Sequence, residues 1–191
     1  AAAAAAAAAA KTAALAKIAN YADNSANAVP TLQDYVDAGV TGVTAANLSV
    51  VNAGIDAAIK TDADETAEVQ ALATAAINAD AAAAAAAAAA KTAALAKIAN
   101  YADSATNAAP TVQDYADAGV TGVTAANLGK ANIGIDAVAK TDADTTSEIQ
   151  SLVTAAINAP TDATADDAAL AALAAKTAAL AKIANYADSA T

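Results

Sequence analysis

The sequence predicts an all-α protein, a tandem array of helical bundles with about four helices per unit, and three observations predict it. The string Lys-Thr-Ala-Ala-Leu-Ala-Lys-Ile-Ala-Asn-Tyr-Ala-Asp stands unchanged at 11–23, 91–103 and 176–188. Successive copies begin 80 and then 85 residues apart, and the stretch after the first copy recurs with few changes after the second. Such self-similarity marks an array in which each period is one supersecondary block. Between the copies, apolar residues fall at helical spacings of three and four. The expected units are 1–80 and 81–160, followed at 161–191 by a linker and the first helix of a third. The array is expected to be solenoid-like or filament-forming.

Composition narrows the function classes. Most of the 58% apolar content is alanine, while Phe, Trp and Met are absent and Tyr is the only aromatic. A core resting on a few Leu, Ile, Val and Tyr residues buries modest area, at roughly 25 cal/mol per Å². Contacts between units then matter more than usual. A net charge of -11, with nine Lys and neither Arg nor His, lacks the basic footprint that nucleic-acid binding requires. The absence of Cys removes disulfides and thiolate metal sites. With no methionine, the chain is expected to be a processed product or a window cut from a longer array.

Taken in order, positions 1–10 and 81–90 are runs of alanine. Alanine is the best helix former, so each run should be continuous with the motif behind it. Neither run has a basic region before it, as a targeting segment would, and polyalanine is weakly hydrophobic for a membrane span. No function is assigned to these positions. Within the motif, Leu15, Ile18 and Tyr21 form one apolar stripe, repeated as Leu95, Ile98 and Tyr101 and as Leu180, Ile183 and Tyr186. These nine residues are the candidates for packing between units, with Lys11 and Lys17 off the stripe.

Asn24 to Pro30 reads as a polar loop. Thr31-Leu32-Gln33-Asp34 then carries a capping signature for a short second helix, with Leu32, Tyr35 and Val36 facing inward and Gly39-Val40 ending it. Thr41-Gly42-Val43-Thr44 makes the next turn and supplies a threonine N-cap. The third helix should carry Leu48, Val51, Ile55 and Ile59. Gly54 and Gly134 inside helices each cost about 1 kcal/mol relative to alanine, and close helix packing is the reason expected for them. Thr61 to Thr66 is an acidic turn before a fourth helix with Val69, Leu72, Ala76 and Ile77 on its core face. Unit two meets Pro160, which should end that helix; by analogy a turn is expected near Asp80, with a continuous helix from about Asp64 to Tyr101 as the alternative.

Little chemistry is available. With no His, Cys, Arg or Trp, a catalytic constellation is hard to build, and no phosphate loop, nucleophile elbow or metal-binding helix motif occurs. No enzymatic activity and no cofactor are expected. The acidic turn lacks the third oxygen ligand, the glycine and the distal glutamate of a helical calcium loop. An ice-binding helix needs threonines at a regular interval, and each alanine-rich helix here carries a single placed one, such as Thr12 or Thr92.

The strings Ile-Ala-Asn-Tyr-Ala-Asp, Pro-Thr-(Leu/Val)-Gln-Asp-Tyr and Asp-Ala-Gly-Val-Thr-Gly-Val-Thr-Ala-Ala-Asn-Leu, followed by Glu-(Val/Ile)-Gln, cover nearly all of both units outside the alanine runs. In them the chain resembles the alanine-rich helical tandem repeats of large repetitive adhesins on bacterial surfaces. The resemblance implies an extracellular stalk, spacer or fibre module without catalytic residues, whose partners are neighbouring repeats or other copies of itself. A helical adhesion module that binds a surface or host protein is the alternative. No nucleic acid and no membrane span are expected.

Overall fold

A computed structural model describes residues 2–104 and 107–159, together with 171, 172, 174–176, 178 and 179. The chain is all-helical, with no strand among the described residues. It forms two compact units, Ala1–Ala85 and Ala86–Thr191. The helices are α1 (Ala2–Asp23), α2 (Leu32–Ala38), α3 (Leu48–Asp56), α4 (Thr66–Asp103), α5 (Val112–Asp117), α6 (Leu128–Asp136) and α7 (Thr146–Asn158). Short 3₁₀ turns at Lys60–Asp62 and Lys140–Asp142 precede α4 and α7.

The 38-residue α4 corrects the expectation of a turn near Asp80. Asn78-Ala79-Asp80 contains no proline or glycine and is followed by ten alanines. The propensity cost of one Asn and one Asp, below about 0.7 kcal/mol each, is too small to stop a helix that alanine then propagates. In the second unit Ala159 turns to φ -57°, ψ 134° ahead of Pro160, since the proline ring disfavours the α conformation in the residue before it.

α2 and α5 start as their sequences require. The Asp34 amide donates to the Thr31 hydroxyl while the Asp34 carboxylate accepts from the Thr31 amide at 2.7 Å, a complete capping box that recurs at Thr111 and Asp114. At the other end Gly39 takes φ 80°. Its amide donates to Val36 O at 3.0 Å and that of Val40 to Tyr35 O at 2.9 Å. Glycine reaches this left-handed conformation without a Cβ penalty.

Three expectations fail locally. α3 begins at Leu48 with Asn47 before it, not at a Thr44 cap. The Asn47 side chain accepts from the Thr44 amide at 2.7 Å and donates to Gly42 O at 3.0 Å, which spends the cap signal on a turn over 44–47. Ile59 falls beyond the end of α3, where the backbone is extended at φ -89°, ψ 155°, and its side chain is exposed. Val36 is exposed as well: Tyr35 and Ala38 take the buried face of α2.

Each unit has its own core. In the first, Ala14, Ile18, Tyr21, Tyr35, Val51, Ile55, Val69 and Ala73 converge, with Leu15, Leu48, Leu72 and Ile77 around them. The second repeats this with Ile98, Tyr101, Tyr115, Ile135, Ile149 and Val153, alanine at 131 replacing Val51. Gly54 and Gly134 let two helices touch: a Cβ would stand 2.8 Å from Ala76 Cβ in one unit and 2.6 Å from Ala156 Cβ in the other. Close packing is therefore what these glycines provide. The alanines at 2–10 and 81–90 are exposed.

Candidate functional site

The repeated motif forms the second half of α1 and the part of α4 that belongs to unit two. Its helical stripe places Ile18 and Ile98 wholly inside, Tyr21 and Tyr101 nearly so, and Leu15 and Leu95 at the margin of the same cores. The core of their own unit accounts for all six side chains. Leu180, Ile183 and Tyr186 lie outside the described residues.

Behind this face sits a buried polar clasp. The Tyr35 hydroxyl donates to Asn52 Oδ1 at 2.5 Å, and Asn52 Nδ2 donates to Pro30 O at 3.0 Å. Tyr115, Asn132 and Pro110 repeat it at 2.7 and 3.1 Å. The clasp ties α2, α3 and the preceding loop through one asparagine whose side chain is satisfied on both its oxygen and its nitrogen, as burial of an amide demands. Its sequence signal was an asparagine inside an apolar helical stripe, recurring at an offset of 80 residues.

Ionic contacts complete the frame. Lys17 Nζ lies 2.6 Å from Asp34 Oδ2, and Lys97 lies 2.5 Å from Asp114. Partial burial pushes each aspartate up, and hydrogen bonds from the lysine and the cap threonine outweigh it, so both carboxyls stay below the ordinary value of 3.8. Lys60 donates to Asn20 Oδ1 at 2.6 Å, and Lys140 to Asn100 Oδ1 at 2.5 Å. Thr66 and Thr146 donate to Ala38 O and Ala118 O, each at 2.8 Å.

One buried group stands apart. Among the described residues the Tyr101 hydroxyl is the buried side-chain atom without a hydrogen-bond partner. Burial, and then the negative charge of Asp136, pushes its pKa up to about 12. Asp136 ends α6, and its carboxylate also holds Lys176, with Nζ 3.2 Å from Oδ2 and 3.3 Å from Oδ1.

No family model, curated protein or solved structure matches the chain.

A shallow cleft of about 450 Å³ is lined by Thr12, Leu15, Ala19, Asn20, Lys60 and Asp64, and Asn20 already engages its Lys60 ammonium. No group of three or more metal-ligating side chains occurs among the described residues. Acidic residues cap helices, as at α7, where the Thr145 hydroxyl donates to Glu148 Oε2 at 2.8 Å in a capping box. Against the expectation from polyalanine, Ala2–Ala22 and Thr66–Ala102 are long and apolar enough to cross a membrane by length and composition, each with mean hydropathy 1.3.

Proposed function

We propose that this chain is a structural repeat of an extracellular bacterial surface protein, a stalk or spacer or the building block of a fibre, in which helices pack successive units into a solenoid-like array. The observation that carries the reading is α4, which closes the first unit and opens the second with no breaker between. A helix anchored by a core at each end transmits order from one unit to the next, the nearest-neighbour coupling on which repeat arrays depend. The clasps, caps and ion pairs recur at the same offset of 80 residues, so what is repeated is a way of holding helices together. Residues suited to general acid or base work near neutral pH are missing, which fits a role without catalysis. The extracellular bacterial setting rests on the resemblance to surface adhesin repeats.

The test is an Ala85→Pro variant of the whole chain, since proline inside a helix costs about 3 kcal/mol and breaks its continuity. Coupled units should unfold in urea as one transition that the proline splits into two. If the unaltered chain already melts as two independent transitions that the proline leaves alone, the coupled-array reading fails. Insertion of the chain into lipid vesicles would also overturn it.

A further inference from the structure

The lysine that opens each motif copy is used in two ways. Lys91 lies over the end of α5, its Nζ 3.9 Å from where a Cβ on Gly119 would stand. Lys176 meets Asp136 at the end of α6, within the same unit, in an ion pair whose side chains are 29% and 37% exposed. Asp136 also acts electrostatically on Tyr101, which is 1% exposed, against 9% for Tyr21. The end of α6 is thus a seat that receives the start of a motif helix.

Unit one carries the same seat with different contents. Asp56, the counterpart of Asp136, ends α3, is exposed, and has no ion pair among the described residues. Three residues on, Ile59 is 59% exposed where unit two has Ala139. The other large apolar residues standing exposed, Val29 and Val36, also have alanine as their counterparts in the second unit, at 109 and 116. The first seat therefore offers a carboxylate without an ion pair and, three residues on, an exposed branched side chain. The second offers a carboxylate already paired and, three residues on, an alanine.

We propose that the Asp56–Ile59 corner receives the Lys176 end of the motif helix from a second copy of this chain, Asp56 replacing Asp136 as the partner of the lysine. Charge complementarity selects this occupant, because the same lysine is already seated on the same acid one unit along. Seat and key lie on different units, so the contact is heterologous and head-to-tail; such contacts propagate into rings or open filaments. The intramolecular seat competes, because a tethered partner acts at an effective concentration in the millimolar range. Exchange between copies should therefore rise when Asp136 is weakened. This proposal rests on the array reading and names the contact by which arrays would join.

The experiment is sedimentation velocity of the full chain over a wide concentration range at low and moderate salt, with far-UV circular dichroism confirming that each variant is folded. Asp136→Asn should strengthen self-association about fivefold, the size expected of one exposed ion pair. Adding Asp56→Asn, Ile59→Ala or Lys176→Gln in that background should reverse the gain. Salt should weaken it. Association indifferent to Asp56, Ile59 and Lys176 overturns the seat and leaves the array reading standing. A monomeric Asp136→Asn chain at the highest concentration also overturns the seat, and the proline variant of α4 then decides the array reading separately.

Discussion

Gly134→Ala tests the packing argument against the rule of helix propensity. On an unobstructed helix the substitution would stabilise by about 1 kcal/mol. Here the new Cβ would lie 2.6 Å from Ala156 Cβ and 3.4 Å from Leu152 O, whereas carbon atoms rest about 3.5–4.0 Å apart. α6 and α7 must separate by about 1 Å, and overpacking of this kind costs about 1–3 kcal/mol. The expected net result is a loss of about 0–2 kcal/mol. Ala156→Gly removes the obstacle at a propensity cost of about 1 kcal/mol. The double variant should thus return close to the original stability, with a coupling energy of about 1–3 kcal/mol. Urea unfolding followed by circular dichroism measures all four corners of the cycle. A Gly134→Ala chain more stable by about 1 kcal/mol, with no coupling to position 156, would refute the reasoning.

Two further predictions concern the buried polar groups. Tyr115→Phe leaves Asn132 Oδ1 buried without its donor and should cost about 1–3 kcal/mol, whereas Tyr101→Phe removes a hydroxyl that has no partner and should be neutral or stabilising; equal losses in urea unfolding would contradict the assignment. Stability should be level around neutral pH, as the chain has no histidine. The depressed carboxyls of Asp34 and Asp114 add stability above pH 3.8, lost as pH falls through their lower folded values. Tyr101, raised from 10.0 to about 12, adds stability that is intact below pH 10 and lost as pH rises through its folded value. Thermal unfolding against pH checks this, with Asp114→Asn shrinking the acid limb; a step near neutral pH would contradict it.

What was legible in the sequence was local. Thr31 with Asp34, and Gly39 with Val40, specify their caps through interactions no more than five residues apart, and the structure forms them as read. Gly54 was legible because a helical glycine needs a packing reason. The Tyr35–Asn52 clasp was not, since its partners are 17 residues apart and nothing in the spacing says that the tyrosine reaches the asparagine. The α3 start was misread because Thr44 and Asn47 both carry cap chemistry, and the turn claimed it. Asp80 misled by analogy with Pro160: the two positions correspond in the repeat, but only proline excludes the helical conformation before it. Leu15, Ile18 and Tyr21 were legible as a buried stripe, while periodicity alone does not tell whether a stripe faces its own unit or a neighbour.

The bare alanines of α4 also bear on how the chain responds to tension. Residues 78–93 are exposed throughout and have no core to hold them. Pulled from both ends, they are the first place where helical hydrogen bonds give way. A helical residue advances about 1.5 Å and an extended one about 3.4 Å, so these residues release about 30 Å of length before either core must open. They are also free to re-form the helix when the load falls, since alanine regains it at the least cost of any residue. Under load this stretch would serve as a reversible mechanical fuse.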